Sequence, residues 1–185
     1  DLVEEQIKIA RGEKLSFTQD DLSINGHAME LRVYAEDPLN NFLPSVGNLV
    51  KYTKPEGAGI RVDDGYEEGM DIPIYYDPMI AKLVTHGKNR TEAIQMMIDA
   101  IKLYKIKGVA TTLPFGLFVM EHDAFVSGHF DTNFVPQHYT ADAIKEKQKT
   151  NAEAAALVAL KYYLNKQKLV KAVENKSTSW KRRLA

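Results

Sequence analysis

The spacing of apolar residues changes along the chain between the period of a helix and that of a strand. Residues 1–11 have helical spacing and are followed by Gly12, a residue type that commonly ends helices. Residues 27–36 alternate between apolar and polar, which predicts a strand with one face on a core. The apolar face is Met29, Leu31, Val33 and Ala35, and the polar face is Glu30, Arg32, Tyr34 and Glu36.

A hairpin is predicted just before this strand. Asn25-Gly26 is a strong signal for a two-residue turn, and it lies between residues 20–24 and residues 27–36. We therefore expect these two segments to pair. Further short strands, separated by glycines, are predicted at 49–53, 59–62 and 79–86.

The clearest predicted helix begins at Asn89 and ends before Gly108. Asn89 and Glu92 have the spacing of a capping box. Apolar residues then recur at helical spacing, at Ala93, Ile94, Met97, Ile98 and Ile101. A shorter helix is predicted over 113–121, with Pro114 in its first turn. These elements predict an α+β fold, a small antiparallel β-sheet flanked by helices.

Composition and charge change near residue 140. All 11 glycines and all 7 prolines precede Ala141, and a long helix is predicted over 141–174. From Ala141 onward eleven Lys/Arg face four Asp/Glu, a net charge of +7, which leaves −8 for the preceding residues. We therefore expect two regions, a domain at 1–138 and a basic helical C-terminal extension at 139–185. Its apolar stripe is compatible with packing on a domain or with binding a partner, and consists of Leu157, Leu160, Leu164, Val170 and Val173.

The overall composition is that of an ordinary globular protein, with 44% hydrophobic and 26% charged residues. The net charge of −1 argues against general nucleic-acid binding, which requires a basic excess. No apolar run approaches the roughly eighteen residues that a membrane span needs. The chain opens with Asp1 and a predicted helix, without Met or a signal-like stretch, so we expect a piece of a longer protein.

Several kinds of site lack their residues in this sequence. The absence of cysteine excludes disulfides, thiolate metal ligands and cysteine nucleophiles. No glycine-rich phosphate loop occurs. The five histidines lack the i, i+4 spacing of a helical metal site, so no metal site is predicted.

The strongest local candidate for chemistry is Arg32. On its predicted strand face it lies beside Tyr34 and between two carboxylates, Glu30 and Glu36. Such neighbours would hold the guanidinium in one orientation and leave donors for a developing negative charge. The alternative from the pattern alone is a solvated strand face with weak surface salt bridges.

A second candidate lies at the entry to a predicted strand, where Tyr75 and Tyr76 precede Asp77 and Pro78. Loops on rigid scaffolds often carry functional side chains. Asp-Pro is equally an ordinary turn signal, and the pattern alone leaves both interpretations open.

Five motifs in order resemble the C-terminal domain of biotin carboxylase, the carboxylating subunit or module of acetyl-CoA and propionyl-CoA carboxylases. They are GHAMELRVYAEDP (26–38), FLPSVG (42–47), GIRVD (59–63), YYDPMIAKL (75–83) and NRTEA (89–93). The ordered similarity covers residues 1–138. The tail from Ala141 resembles the extension of some acyl-CoA carboxylase subunits.

The resemblance implies a reaction in which MgATP activates bicarbonate and biotin becomes carboxylated on its carrier protein. It implies that Arg32 is catalytic and stabilises the negative charge on the ureido oxygen of biotin. It also implies that Glu30, Tyr76 and Asp77 line the biotin and bicarbonate site.

The resemblance further places Arg61 at the two-fold contact of a homodimer. Two departures stand out. Ala58 lies where some relatives have an aromatic residue at the dimer contact, which puts the strength of a dimer in question. Thr112 lies where many relatives have Asn, and sequence reasoning attaches no function to this difference.

The implied cofactors are biotin, ATP and Mg²⁺, the last two bound by an ATP-grasp domain of the same parent chain, upstream of Asp1. The isolated chain is therefore expected to be inactive. The implied partners are the biotin carboxyl carrier protein and a carboxyltransferase subunit, with no nucleic acid and no membrane. The implied location is the cytoplasm, or the mitochondrial matrix in a eukaryote. The alternatives are an assembly module, or the equivalent segment of pyruvate or urea carboxylase.

Overall fold

The computed structural model describes residues 1–73, 75–140, 143, 153 and 155–166. The chain forms two compact units, Asp1–His129 and Phe130–Ala185. Helices with defined bounds among the described residues up to 140 are α1 (Leu2–Ala10), α2 (Arg90–Leu103), α3 (Leu113–Met120), α4 (Asp123–Ser127) and α5 (Phe134–His138). The strands are β1 (His27–Tyr34), β2 (Glu36–Asp37), β3 (Leu43–Pro44), β4 (Gly47–Asn48), β5 (Lys51–Thr53), β6 (Ile60–Asp64), β7 (Asp71–Ile72), β8 (Met79–Gly87) and β9 (Lys105–Lys107).

The first unit is built on a three-stranded antiparallel sheet in the order β1-β8-β6. Three smaller antiparallel pairs, β2 with β3, β4 with β7 and β5 with β9, surround it. β8 is central because its apolar residues fill one side of the sheet, and Ile80, Ala81 and Leu83 are almost fully buried. The predicted α+β fold with small antiparallel sheets and helices is confirmed.

The predicted hairpin at Asn25-Gly26 is wrong. Residues 22–26 form no strand, and β1 pairs with β8, some fifty residues further along the chain. The reason is burial, since Leu22 and Ile24 remain exposed in the preceding segment whereas β8 supplies a continuous apolar face. Gly26 adopts a positive φ of 75° for a different purpose, because its backbone passes close to the carbonyl of Gly87.

The helix predicted from Asn89 is confirmed as α2, and its five predicted apolar residues are all buried. Asn89 caps it by accepting a hydrogen bond from the Glu92 amide at 2.9 Å. The Glu92 carboxylate reaches back one residue further than a capping box requires and accepts from the Lys88 amide at 2.8 Å. Met97, on the buried side of α2, is fully inaccessible to solvent.

The helix predicted over 113–121 is confirmed as α3, with Pro114 in its first turn. The short helices α4 and α5 were not predicted, since neither has room for a repeating apolar pattern. Of the long helix predicted over 141–174, residues 155–166 are helical, and most of the remainder lies outside the described residues. The predicted domain boundary at 138/139 stays a prediction.

Candidate functional site

The three-stranded sheet has one face on the core and one open face rich in charge. Residues directly opposite one another on antiparallel strands share a face. One cross-strand row is Arg32 on β1, Lys82 on β8 and Asp63 on β6, and the next is Glu30, Val84 and Arg61. We call the charged members of these two rows the open sheet face: Glu30, Arg32, Arg61, Asp63 and Lys82.

Arg32 lies on this face with about 60% of its side chain exposed. Its Nε donates to Oε1 of Glu30 at 3.3 Å, a contact that follows from their spacing of two along β1. The Tyr34 side chain first, and Glu30 second, raise the pKa of the Arg32 guanidinium, so it remains cationic. Because the Glu30 contact uses one of five N–H donors, the guanidinium is oriented and still able to bind an anionic oxygen.

Glu30 and Arg32 are therefore brought together as the alternation indicates. Glu36, the second carboxylate of that pattern, lies instead in β2, opposite Pro44 of β3. Burial, and after it the negative charge of Asp77, raise the pKa of the Glu36 carboxyl. Glu36 is thus close to the loop before β8 and belongs to a different local environment from Arg32.

Tyr76 and Asp77 lie in the loop between β7 and β8. The Ala35 amide donates to the Pro78 carbonyl at 2.8 Å, which fixes this loop to the end of β1. Asp77 Oδ1 accepts from the Met79 amide at 3.0 Å and so forms the turn that begins β8. The side chain of Tyr76 projects into solvent, with the residue 79% exposed. In the described part of the chain, no hydrogen bond joins either residue to Arg32.

Arg61 lies on the same open sheet face as Arg32, two strands away. Its Nε and Nη2 both approach Oδ2 of Asp63 at 3.1 Å, and 70% of the side chain is exposed. This pair on β6 has the same spacing as Glu30 and Arg32 on β1. Both edge strands therefore display an arginine oriented by a carboxylate two residues away.

Lys82 is a member of the open sheet face that sequence reasoning did not single out. It lies opposite Arg32 on one side and Asp63 on the other. The alternation within the strand predicted at 79–86 contains the signal, because Lys82, Val84 and His86 occur at every second position. Its cross-strand neighbours could not be found, since they depend on the pairing of distant strands.

Metal-binding clusters are absent from the part of the chain that the structure describes. There, no group of three or more His, Asp or Glu side chains is placed to hold an ion. Within the same residues, no helix is long and apolar enough to cross a membrane.

Fold and open face together define an α+β domain that presents an oriented cation on an antiparallel sheet. The family model of the biotin carboxylase C-terminal domain matches residues 30–137, more than half of the chain. The chain belongs to this family, which confirms the resemblance seen in the five motifs.

Relatives from several carboxylases are similar to the chain. It is 49% identical over 135 residues to biotin carboxylase 1 of Bacillus subtilis (strain 168), covering 73% of this chain and 30% of that protein. It is 45% identical over 162 residues to the human mitochondrial propionyl-CoA carboxylase alpha chain, covering 86% and 22%. It is 47% identical over 138 residues to a pyruvate carboxylase subunit of Methanothermobacter thermautotrophicus (strain Delta H), covering 75% and 28%.

Solved structures agree. The biotin carboxylase domain of a thermophilic 2-oxoglutarate carboxylase bound to bicarbonate superposes with a TM-score of 0.71 at 40% identity, covering 75% of this chain and 31% of that one. The biotin carboxylase subunit of pyruvate carboxylase gives a TM-score of 0.71 at 43% identity, covering 75% and 31%. The chain thus spans less than a third of the length of these relatives.

Proposed function

We propose that this chain is the C-terminal domain of a biotin carboxylase, an ATP-dependent ligase that carboxylates biotin on its carrier protein with bicarbonate. The observation that supports it best is Arg32, an oriented and exposed cation within the matched residues 30–137. Removing a proton from the ureido nitrogen of biotin places negative charge on the ureido oxygen. A preorganised guanidinium stabilises that charge without reorganising during the reaction.

The neighbours of Arg32 have distinct proposed roles. Glu30 orients the guanidinium through its contact with Nε. Tyr76 and Asp77 line the biotin end of the site. Their loop is fixed to the end of β1, and this attachment keeps it beside the strand that carries Arg32.

ATP and Mg²⁺ bind, in this proposal, to an ATP-grasp domain of the same full-length protein. A structural relative supports this arrangement: the biotin carboxylase domain of Hydrogenobacter thermophilus 2-oxoglutarate carboxylase was solved with MgADP and bicarbonate, and this chain covers 30% of it. The proposed partners are a biotin carboxyl carrier protein and a carboxyltransferase subunit. The proposed context is an acetyl-CoA or propionyl-CoA carboxylase, in the cytoplasm or the mitochondrial matrix, and the propionyl-CoA carboxylase relatives support it.

The direct test compares the full-length protein with the isolated chain. With bicarbonate, MgATP and biotin, the full-length protein is expected to form carboxybiotin and ADP. The isolated 185-residue chain is expected to form neither, because the nucleotide site lies elsewhere. Carboxybiotin is measured by incorporation of labelled bicarbonate, with biotin omitted as the control. A full-length protein that binds MgATP but labels no biotin would contradict the proposal.

A second function, assembly of the carboxylase, is favoured by the exposed Arg61–Asp63 pair on edge strand β6 and by the basic extension. We place Arg61 at the two-fold contact of a homodimer, where one residue acts on both protomers. One structural relative, the 2-oxoglutarate carboxylase domain, is described as a dimer.

Replacing Arg61 by glutamate in the full-length protein should weaken this dimer, because each two-fold contact would gain two like charges. Sedimentation velocity across a range of concentrations measures the monomer fraction. The matched control is Arg11→Glu, which changes an exposed arginine on another element. A dimer as tight as that of the unmodified protein would remove Arg61 from the interface.

A further inference from the structure

The outer edge of β1 is bound by a single residue, Thr112. β1 pairs with β8 on one side only, so its other edge presents unpaired main-chain groups. The Thr112 amide donates to the Tyr34 carbonyl at 3.1 Å. Its hydroxyl accepts from the Tyr34 amide at 3.0 Å and donates to the Arg32 carbonyl at 3.1 Å. One residue thus satisfies three groups on the main chain that carries Arg32.

Thr112 is itself firmly held. It is 5% exposed and precedes α3 as its N-cap residue. Its side chain makes no capping hydrogen bond to α3, because the hydroxyl is committed to β1. The helix in turn lies close against β1 at Gly116, where an added Cβ would come within 2.5 Å of the Leu31 side chain. α3 therefore acts as a rigid support for this part of the strand.

The support is needed because the sheet is irregular at this point. The pairing of β1 with β8 shifts register between Val33 and Tyr34. A register shift disrupts the ladder of hydrogen bonds and changes the local twist of the strand. The Thr112 hydroxyl bridges this irregularity, since it binds Arg32 on one side and Tyr34 on the other.

We propose that Thr112 is a positioning residue for Arg32, fixing the main chain from which the guanidinium reaches the ureido oxygen of biotin. This inference rests on the proposed function of Arg32. Thr112 does not touch the substrate and acts through its hydrogen bonds to β1.

The test replaces Thr112 by valine in the full-length enzyme, which keeps the shape and removes the hydroxyl. The kcat of biotin carboxylation is expected to fall about tenfold, less than the roughly hundredfold cost of a 1 Å misplacement. The KM for ATP should stay unchanged. Thr112→Ser, which retains the hydroxyl, should restore kcat. Rates are normalised to the fraction of enzyme that binds MgATP, and Thr112→Ala replaces the valine variant if the latter does not fold.

A double-mutant cycle separates positioning from general destabilisation. If Thr112 acts through Arg32, adding Thr112→Val to Arg32→Ala should cause no further loss. A further tenfold loss in that background would overturn the inference, as would an unchanged kcat in Thr112→Val alone. Either result leaves the proposed function standing when Arg32→Ala itself is impaired. An unimpaired Arg32→Ala would instead overturn the proposed role of Arg32, and the role of Thr112 with it.

Discussion

Replacing Arg32 by alanine in the full-length protein is expected to lower the kcat of biotin carboxylation by about 10²–10³, while MgATP still binds. The effect is large because the guanidinium is already oriented by Glu30 and the Tyr34 side chain, and it can act on charge that develops only during the reaction. Labelled carboxybiotin measures the rate, and calorimetry or fluorescence measures nucleotide binding.

Two further variants identify which property of Arg32 matters. Arg32→Lys keeps the charge but loses the planar, multiply donating fork, so it should recover only part of the lost rate. Arg11→Ala, which removes an exposed arginine at the C-cap of α1, is the matched control and should leave the rate unchanged. Turnover of Arg32→Ala near that of the unmodified enzyme would remove Arg32 from the proposed mechanism.

The arginine-bearing face could be predicted from the sequence because it depends on local geometry alone. Two residues apart on a strand always share a face, so Glu30 and Arg32 had to be neighbours wherever the strand went. The same logic predicted α2 and its buried residues. Neither conclusion needed the identity of the pairing strands.

The features that sequence reasoning missed all depend on contacts between distant segments. The Asn25-Gly26 turn signal was local and strong, yet the burial of β8 decided the partner of β1. Thr112 is 80 residues from Arg32, and nothing in its neighbourhood of the sequence indicates that its hydroxyl binds that strand. Lys82 was missed for the same reason. Local patterns therefore defined the face, and long-range pairing determined what surrounds it.

Gly108 illustrates a long-range constraint with a large expected effect. It has a positive φ of 107°, and a Cβ at this position would overlap the carbonyl oxygen of Asn48. Gly108→Ala therefore combines backbone strain of about 1–3 kcal/mol with steric overlap of about 1–3 kcal/mol. We expect the free energy of unfolding of the chain to fall by about 2–5 kcal/mol, measured by urea denaturation with circular dichroism.

Gly12→Ala is the matched control, because Gly12 also has a positive φ, 82°, but no atom lies within 4 Å of the added Cβ. Its loss should be limited to the conformational cost of about 1–2 kcal/mol. The difference between the two variants isolates the close approach of Gly108 to Asn48. Equal losses would show that backbone conformation alone explains the glycine. Because Gly108 follows β9 and begins the connection that leads to Thr112, a larger loss at Gly108 would also show that the route to the support of β1 is itself constrained by packing.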